Sequence, residues 1–239
     1  MQKNIFNLDA SQRRLLIKAL IGLVACIMFC FFIVRFVPLS GKDDEAEFLR
    51  LVSENKTLPE SYRPKLVSVE NVQVSESCGE ALALMLQDAR QAGCELLLLE
   101  GYTDRKSRQQ SYDQHIKELM AQAMSREEAA ELTLKTMSKP GADEHQLGLT
   151  VDITDREYPE KNMDLLESDT YKWLSENCWD YGFIIRYSED KSEITGRDFM
   201  PWHYRYVGVE SAQLIKTLDM CLEEYYTWFY SDDVIIINN

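Results

Sequence analysis

The stretch SKPGADEHQLGLTVDI, residues 138–153, contains a predicted helix end, a predicted strand and one of the chain's three histidines. Its Lys-Pro-Gly step at 139–141 ends a predicted helix, because proline cannot continue one. The LGLTVDI segment behind it has the β-branched alternation of a strand. A second stretch, ITGRDFMPWHYRYVG at residues 194–208, predicts the last strand, at about 199–207. Each of the two segments contains a histidine, so both are candidates for a catalytic or metal-binding site.

Hydrophobic periodicity supplies the other elements of the predicted fold. Helices are predicted at residues 79–92, 105–123, 126–137 and about 210–226, with one more marked by Tyr171, Leu174, Cys178 and Tyr181. ELLLLEGY and GFIIRY predict two further strands. Ser125 and Glu128 form a capping-box pattern at the start of the third of these helices. The pattern predicts an α+β fold in which helices pack on a small, mainly antiparallel sheet.

Composition limits the class of protein. The 239 residues, 45% of them hydrophobic, are enough for one globular domain with an accessory segment. The formal net charge of -14 argues against a general nucleic-acid binder, because binding to phosphates depends on lysine and arginine. A protein or peptide ligand is favoured, and the sequence implies no particular protein partner.

The N-terminal segment is predicted to span a membrane. ALIGLVACIMFCFFIV, residues 19–34, carries no charge, and snorkelling of the flanking Lys18 and Arg35 extends the apolar stretch to 15–37. Basic residues precede the stretch and acidic residues dominate after it, so the N-terminus is predicted to be cytoplasmic and the remainder extracellular. A cleaved signal peptide is the alternative, although no small-x-small site follows the run before Arg35.

The predicted organisation has five parts. They are a cytoplasmic tail at 1–14, a transmembrane anchor at 15–37, a juxtamembrane linker and lead-in at 38–70, a globular domain at 71–230 and a tail at 231–239. Four cysteines fall outside the anchor: Cys78, Cys94, Cys178 and Cys221. The predicted helix between the first two holds them beyond disulfide reach, and all four are expected to be unpaired and buried.

His145, Asp152 and His203 form a candidate metal site. His145 and Asp152 lie seven residues apart around the start of one predicted strand, and an antiparallel sheet could bring His203 alongside. Two imidazoles and one carboxylate are three zinc ligands, leaving a fourth position open, as in catalytic zinc sites. On spacing alone, polar residues at strand ends explain the pattern equally well. His115 lies on a predicted helix without such neighbours and is interpreted as a surface histidine.

SKPGADEHQLGLTVDI and ITGRDFMPWHYRYVG resemble the two signature segments of the VanY-like D-alanyl-D-alanine carboxypeptidases. The resemblance extends from about Leu51 to Tyr225 and includes LPESYRP, the GY turn at 101–102 and WLSENCWDYGFIIRY. It implies an α+β zinc peptidase that removes the terminal D-alanine of peptidoglycan stem peptides. His145, Asp152 and His203 fall on the family's three Zn2+ positions.

The resemblance also places the catalytic base, and there the chain departs from the family. The family has a glutamate three residues before the second histidine, where this chain has Met200. A thioether cannot accept the proton, and loss of a positioned base typically costs about 10²–10⁴-fold in rate. Asp198, two residues earlier on the predicted strand, would face the same side about 6–7 Å away and is a possible substitute base.

Further departures concern the substrate. The family's arginine after Gly-Tyr, which pairs with the terminal carboxylate, is Thr103 here, so Arg105, or less favourably Arg108, is predicted to replace it. The family's serine before Glu-His is Asp143, whose charge would repel an anionic peptide end unless a cation screens it. Gln110 and Trp202 are the other candidates for substrate contact.

Two functional hypotheses remain. The first is a membrane-anchored extracellular zinc D,D-carboxypeptidase with an altered base, acting on stem peptides that end in D-Ala-D-Ala. The second is a zinc-bound, catalytically impaired homologue that binds such peptides as a sensor or scaffold. A purely structural membrane anchor is poorly compatible with an intact set of three metal ligands.

Overall fold

The computed structural model describes residues 47–230. The predicted cytoplasmic tail, the predicted anchor at 15–37 and the tail at 231–239 lie outside this range. Within residues 47–230, no helix is both long enough and apolar enough to cross a bilayer.

The described chain alternates strands and helices. In order these are β1 (Leu66–Val69), β2 (Val72–Ser75), α1 (Glu76–Gln91), β3 (Leu96–Glu100), α2 (Arg105–Met120), α3 (Arg126–Thr136), β4 (Thr150–Asp155), α4 (Asp169–Asn177), β5 (Phe183–Ile185), the single turn α5 (Ser192–Thr195), β6 (His203–Tyr206), α6 (Val209–Leu218) and α7 (Leu222–Tyr230). Short 3-10 turns precede β4 and flank α4. The predicted α+β class is confirmed.

A four-stranded antiparallel sheet forms the centre of the domain, in the order β3-β4-β6-β5. Every residue of β4 is buried, since it is a central strand with neighbours on both edges. Its register places Asp152 opposite Glu100 of β3 on one side and opposite His203 of β6 on the other. The sheet thus collects polar side chains from three strands at one place.

A separate hairpin, β1–β2, lies within and just beyond the segment predicted as linker and lead-in. Its two-residue turn is Glu70-Asn71, and Glu70 has φ 53°. The hairpin packs against the GY turn at 101–102, because the amide of Tyr102 donates to the carbonyl of Gln73 at 2.6 Å.

Local sequence signals explain the helix boundaries. Ser125 and Glu128 form the predicted capping box of α3, which satisfies backbone N–H groups that the first turn leaves free. The predicted C-terminal helix is wrong as one element, because α6 ends at Asp219 in the left-handed region with φ 52° and α7 starts afresh. The predicted last strand is too long at its N-terminal end, since Phe199 and Met200 are irregular, Pro201 and Trp202 form a turn and β6 begins at His203.

Within residues 47–230, the core has three buried clusters. The largest lies between the sheet, the hairpin and α1, a second joins Leu49 and Ile184 to α6 and α7, and a third joins α2 to α3. Cys78, Cys94, Cys178 and Cys221 are free and buried, as predicted.

Candidate metal centre

Strand pairing brings two of the predicted ligands together. Asp152 and His203 are directly opposite each other on β4 and β6, and His203 Nδ1 lies 2.8 Å from Asp152 Oδ1. Both side chains are buried, with residue exposures of 2% and 6%. The contact depends on a register that a one-residue slip would destroy, because the slip would turn one of the two side chains to the opposite face.

His145 comes from the 3-10 turn Glu144–Leu147, which begins at Asp143 and ends at Gly148. Gly148 has φ 74°, a conformation that glycine adopts without strain, and this allows the chain to turn directly into β4. His145 Nδ1 lies 2.7 Å from the carbonyl oxygen of Gly101. That carbonyl accepts a hydrogen bond from Nδ1–H, which fixes the tautomer and leaves the Nε2 lone pair free to act as a ligand.

The three predicted ligands converge. His145 Nε2 lies 3.4 Å from Asp152 Oδ1, and the ligand atoms of His145, Asp152 and His203 all lie within 4.8 Å of one another. A buried set of two imidazoles and one carboxylate, with one imidazole oriented by a backbone carbonyl, fits zinc. We refer to these three residues as the triad.

The triad is strongly coupled electrostatically. Burial raises the pKa of Asp152, but the two imidazoles outweigh burial and hold that pKa well below its usual range. Burial lowers the pKa of His145, but the carboxylates of Asp152 and Glu100 outweigh it and raise that pKa to about 9. The site therefore holds positive charge tightly, as a cation-binding centre does.

A charged cluster extends the triad on the β3 side. Lys161 Nζ lies 2.5 Å from Asp152 Oδ2 and 2.9 Å from Glu100 Oε2. Arg108 joins Glu100 to Asp143, with its Nη2 2.5 Å from Glu100 Oε1 and its Nε 2.5 Å from Asp143 Oδ2. We call Glu100, Arg108, Asp143, Asp152 and Lys161 the charged cluster. Because Arg108 neutralises Asp143, the repulsion expected from that aspartate is screened.

A second set of ion pairs supports the opposite side of the triad. Glu144, next to His145, is fully buried and accepts from Arg186 Nε at 2.9 Å, while Arg205 Nη1 lies 3.0 Å away. Burial raises the pKa of Glu144, but these two arginines lower it to about 2. Tyr187 stacks on the ring of His203 with a centroid distance of 5.1 Å. Backbone, charge and stacking thus all restrict how the two histidines can turn.

Met200 is buried, with 4% exposure, in the turn before β6. Its amide donates to the carbonyl of Tyr187, and its own carbonyl accepts from the amide of His203, both at 3.1 Å. Asp198 is exposed. The prediction that the two residues share one strand face is wrong, because Pro201 and Trp202 form a turn and the strand starts only afterwards.

The residues predicted to contact substrate occupy different places. Asp143 belongs to the charged cluster, whereas Arg105 Nη1 donates to the carbonyl of Leu58 at 3.2 Å. Gln110 is exposed on α2, and Trp202 is half-buried with its carbonyl bound to the amide of Ile153 at 2.8 Å. Of this set, Asp143 is the residue that ion pairs connect to the triad.

Comparison with known proteins matches this architecture to one family. The family model described as VanY, D-alanyl-D-alanine carboxypeptidase, matches residues 71–209, which include every ligand of the triad. The chain belongs to the VanY family. A D-alanyl-D-alanine carboxypeptidase of Enterococcus faecalis is 37% identical to it over 190 residues, which are 76% of this chain and 67% of that protein.

Solved VanY structures share the fold. One is a vancomycin-resistance D,D-pentapeptidase VanY, a glutamate-to-alanine mutant in complex with Zn(II), and another is VanYB in complex with D-alanine-D-alanine. Each is 34% identical to this chain with a TM-score of 0.68 and matches 75% of this chain, covering 98% and 97% of the respective solved chains. The resemblance to VanY-like enzymes is confirmed.

Glu100, Glu144 and Lys161 are among the site residues of this VanY domain that the sequence analysis does not predict. A charged residue at the end of the apolar run LLLLE, directly before the GY turn, was a usable signal for Glu100. Glu144 adjoins His145 in sequence, but its two arginine partners are 42 and 61 positions away. Lys161 lies in an irregular loop after β4, where no periodicity marks a residue that turns inward.

Proposed function

We propose that this protein is a membrane-anchored extracellular zinc D-alanyl-D-alanine carboxypeptidase that acts on peptidoglycan stem peptides. The observation that carries the proposal is the convergence of His145 Nε2, Asp152 Oδ1 and His203 Nδ1 in one buried site. Zinc, when bound by such a set, polarises a carbonyl and makes a water molecule more acidic. The relatives named above support the choice of reaction and of a substrate ending in D-Ala-D-Ala.

The residues of this chain contribute mainly orientation and charge. The Gly101 carbonyl holds His145 in a fixed direction, which is the supporting role that carbonyls usually have around a metal, and Tyr187 stacks on the ring of His203. In the charged cluster, Lys161 contacts the outer oxygen of Asp152 and Arg108 pairs with Asp143, so each of these two carboxylates meets a cation. Arg105, Gln110 and Trp202 remain proposed substrate contacts.

A second function is favoured by one specific observation, the buried thioether of Met200 at the family's base position. Asp198 is exposed in an irregular segment, so it would have to act as the replacement base from the solvent side. A zinc-bound domain that binds stem peptides but hydrolyses them slowly would serve as a sensor or scaffold of the cell wall.

Metal analysis of the purified full-length chain tests the common basis of both functions. We expect about one zinc per chain, lost in His145→Ala, Asp152→Ala and His203→Ala, because each variant removes one of three ligands. His115→Ala, at a partly exposed position on α2, is the matched control and should keep its zinc. Stoichiometric zinc in all three triad variants would refute the assignment.

An assay of D-alanine release from a stem pentapeptide then separates the two functions. Release that depends on zinc supports the carboxypeptidase. Peptide binding without release, in protein that holds its zinc, supports the sensor or scaffold.

A further inference from the structure

The charged cluster has an open side, formed by Lys161 and Glu100. Their side chains are 34% and 26% exposed, whereas those of Arg108, Asp143 and Asp152 are 7%, 7% and 3% exposed. Of the two cations in the cluster, Lys161 and Arg108, a ligand that approaches from solvent therefore meets Lys161 first. That position matters for any group that carries a negative charge.

The ammonium group of Lys161 has a donor to spare. It carries three N–H donors, and two carboxylate oxygens, Asp152 Oδ2 and Glu100 Oε2, engage it at 2.5 and 2.9 Å. The third donor can point toward solvent, because the side chain is one-third exposed. In addition, a metal ion on the triad would take up the negative charge of Asp152 and so weaken the strongest competitor for the ammonium group.

We propose that Lys161 is the specificity-determining residue that binds the free C-terminal carboxylate of the peptide, an inference that rests on the proposed function. A C-terminal residue is short, since consecutive Cα atoms are about 3.8 Å apart. Its carboxylate must therefore lie within about one residue's length of the triad where its amide bond is held. Lys161 meets this condition because it contacts the outer oxygen of a triad carboxylate.

Neither of the two arginines considered for the carboxylate, Arg105 and Arg108, combines a solvent-facing donor with contact to a carboxylate of the triad. Arg108 is enclosed, with Glu100 and Asp143 engaging its Nη2 and Nε and only 7% of its side chain exposed. Arg105 donates to the carbonyl of Leu58 and packs against Gly141, where an added Cβ would lie 2.6 Å from its guanidinium. The sequence-based prediction for Arg105 is the competing assignment.

A binding cycle with two peptides tests the proposal. The zinc-loaded full-length chain is titrated by calorimetry with a stem peptide whose D-Ala-D-Ala amide bond is replaced by a phosphinate, so that it cannot be hydrolysed, as the free acid and as its C-terminal amide. We expect the parent to prefer the acid by about 10- to 100-fold, which is typical of a charge-assisted hydrogen bond. Lys161→Met should bind both peptides with equal affinity, because it loses affinity for the acid and keeps the parent's affinity for the amide.

Matched variants serve as controls. Lys172→Met removes an exposed lysine that pairs with Asp169 at 3.7 Å, and it should keep the full preference for the acid. Lys161→Arg should keep most of the preference, because it keeps a cation at this place. If Lys161→Met does not load zinc, Lys161→Gln supplies the same comparison, since it keeps a donor for Asp152 without the charge.

The possible outcomes distinguish a failure of the role assigned to Lys161 from a failure of the proposed function. An acid preference that survives in Lys161→Met and Lys161→Gln overturns the inference, and its disappearance in Arg105→Ala assigns the carboxylate to Arg105 instead. A zinc-loaded parent that binds neither peptide refutes the proposed function itself. Equal binding of acid and amide by a parent that binds both overturns the inference alone.

Discussion

At the scale of single residues, Met200 separates a hydrolase from a binding protein. Its backbone is held on both sides, by the carbonyl of Tyr187 and the amide of His203, so the turn does not depend on the side chain. Exchange of that side chain therefore changes the chemistry at the site while leaving the turn intact. The zinc complex of a VanY relative in which a glutamate is replaced by alanine shows that a family member without one of its glutamates still binds Zn(II).

Restoring the acid is the direct test of this residue. If the chain has lost only its base, Met200→Glu should raise D-alanine release by one or more orders of magnitude, since a positioned base typically contributes about 10²–10⁴-fold. Met200→Gln is the matched control, because a glutamine side chain has nearly the same shape as glutamate but no carboxylate. Equal rates for the two variants would exclude a general-base effect.

Asp198 provides the complementary experiment. If this exposed carboxylate has taken over the base role, Asp198→Asn should abolish D-alanine release by the parent, while Met200→Glu should add little. Release by Asp198→Asn at the parent's rate would remove this residue from the mechanism. The same assay, run on all four proteins, measures both effects.

His145 predicts a dependence of stability on pH in metal-free protein. Its pKa is raised from 6.5 to about 9, since the carboxylates of Asp152 and Glu100 outweigh the effect of burial. The protonated imidazole stabilises the fold fully below pH 6.5, and this contribution is lost as the pH rises toward 9. We expect the melting temperature of metal-free protein to fall over this interval. The comparison is made below pH 8, because cysteines of the unfolded state ionise above that value and add a second pH dependence.

His145→Gln should flatten this slope between pH 6.5 and 8, because the titrating group is gone. Zinc-loaded parent protein should also lack the slope, since a ligating imidazole is neutral at all these values. An unchanged slope in His145→Gln would place the titration elsewhere. Differential scanning fluorimetry over a series of buffers is sufficient.

At the scale of elements, the site depends on strand register and on the helices behind it. The prediction that an antiparallel sheet brings His203 beside Asp152 is confirmed by the pairing of β4 with β6. The hairpin and the break between α6 and α7 were not predicted, and the reason is the same in both. Glu70 and Asp219 adopt positive φ values of 53° and 52°, where glycine or asparagine would have signalled a turn.

The C-terminal helix α7 contributes to the support behind the triad through one ion pair. Glu223 accepts from Arg186 at 2.6 and 2.9 Å, and Arg186 in turn binds the buried Glu144. Glu223→Gln should destabilise the protein by about 1–3 kcal/mol, because it removes a negative charge that compensates the buried guanidinium of Arg186. The side chain of Glu223 is partly exposed, and solvent screening keeps the loss below that of a fully buried pair. Chemical denaturation of zinc-loaded protein measures the change.

Glu210→Gln, at an exposed position in the first turn of α6, is the matched control for the loss of one acidic residue. We expect a change within about 0.5 kcal/mol for this variant, as is usual for surface substitutions. A loss of the same size in both variants would show that general charge, and not the Arg186 pair, accounts for the effect.

At the scale of the whole molecule, the folded domain extends beyond the family match on both sides. Arg205 Nη2 donates to the carbonyls of Phe48 and Arg50 at 2.8 and 3.1 Å, so residues before position 71 help to hold a strand of the central sheet. Leu49 packs in the same cluster as α6 and α7. Such contacts join residues more than 150 positions apart, which local periodicity cannot predict.

The proposed topology predicts where reagents can reach the chain. A cysteine introduced by Lys117→Cys, on the exposed face of α2, should react with a membrane-impermeant maleimide on intact cells, because this domain is proposed to be extracellular. Gln2→Cys should react only after lysis. The cysteines of the described domain are buried and give a low background. The opposite pattern of labelling would reverse the orientation.

The placement of the three ligands has a consequence for how the protein acquires its metal. His145 belongs to a turn, Asp152 to β4 and His203 to β6, and the last two meet only when the strands pair. The nascent chain therefore has no complete binding site, and metal uptake must follow assembly of the sheet. If the domain crosses the membrane before it folds, it leaves the cytosol as apoprotein. The metal it carries is then selected by the ion supply at the cell surface and not by intracellular metal trafficking.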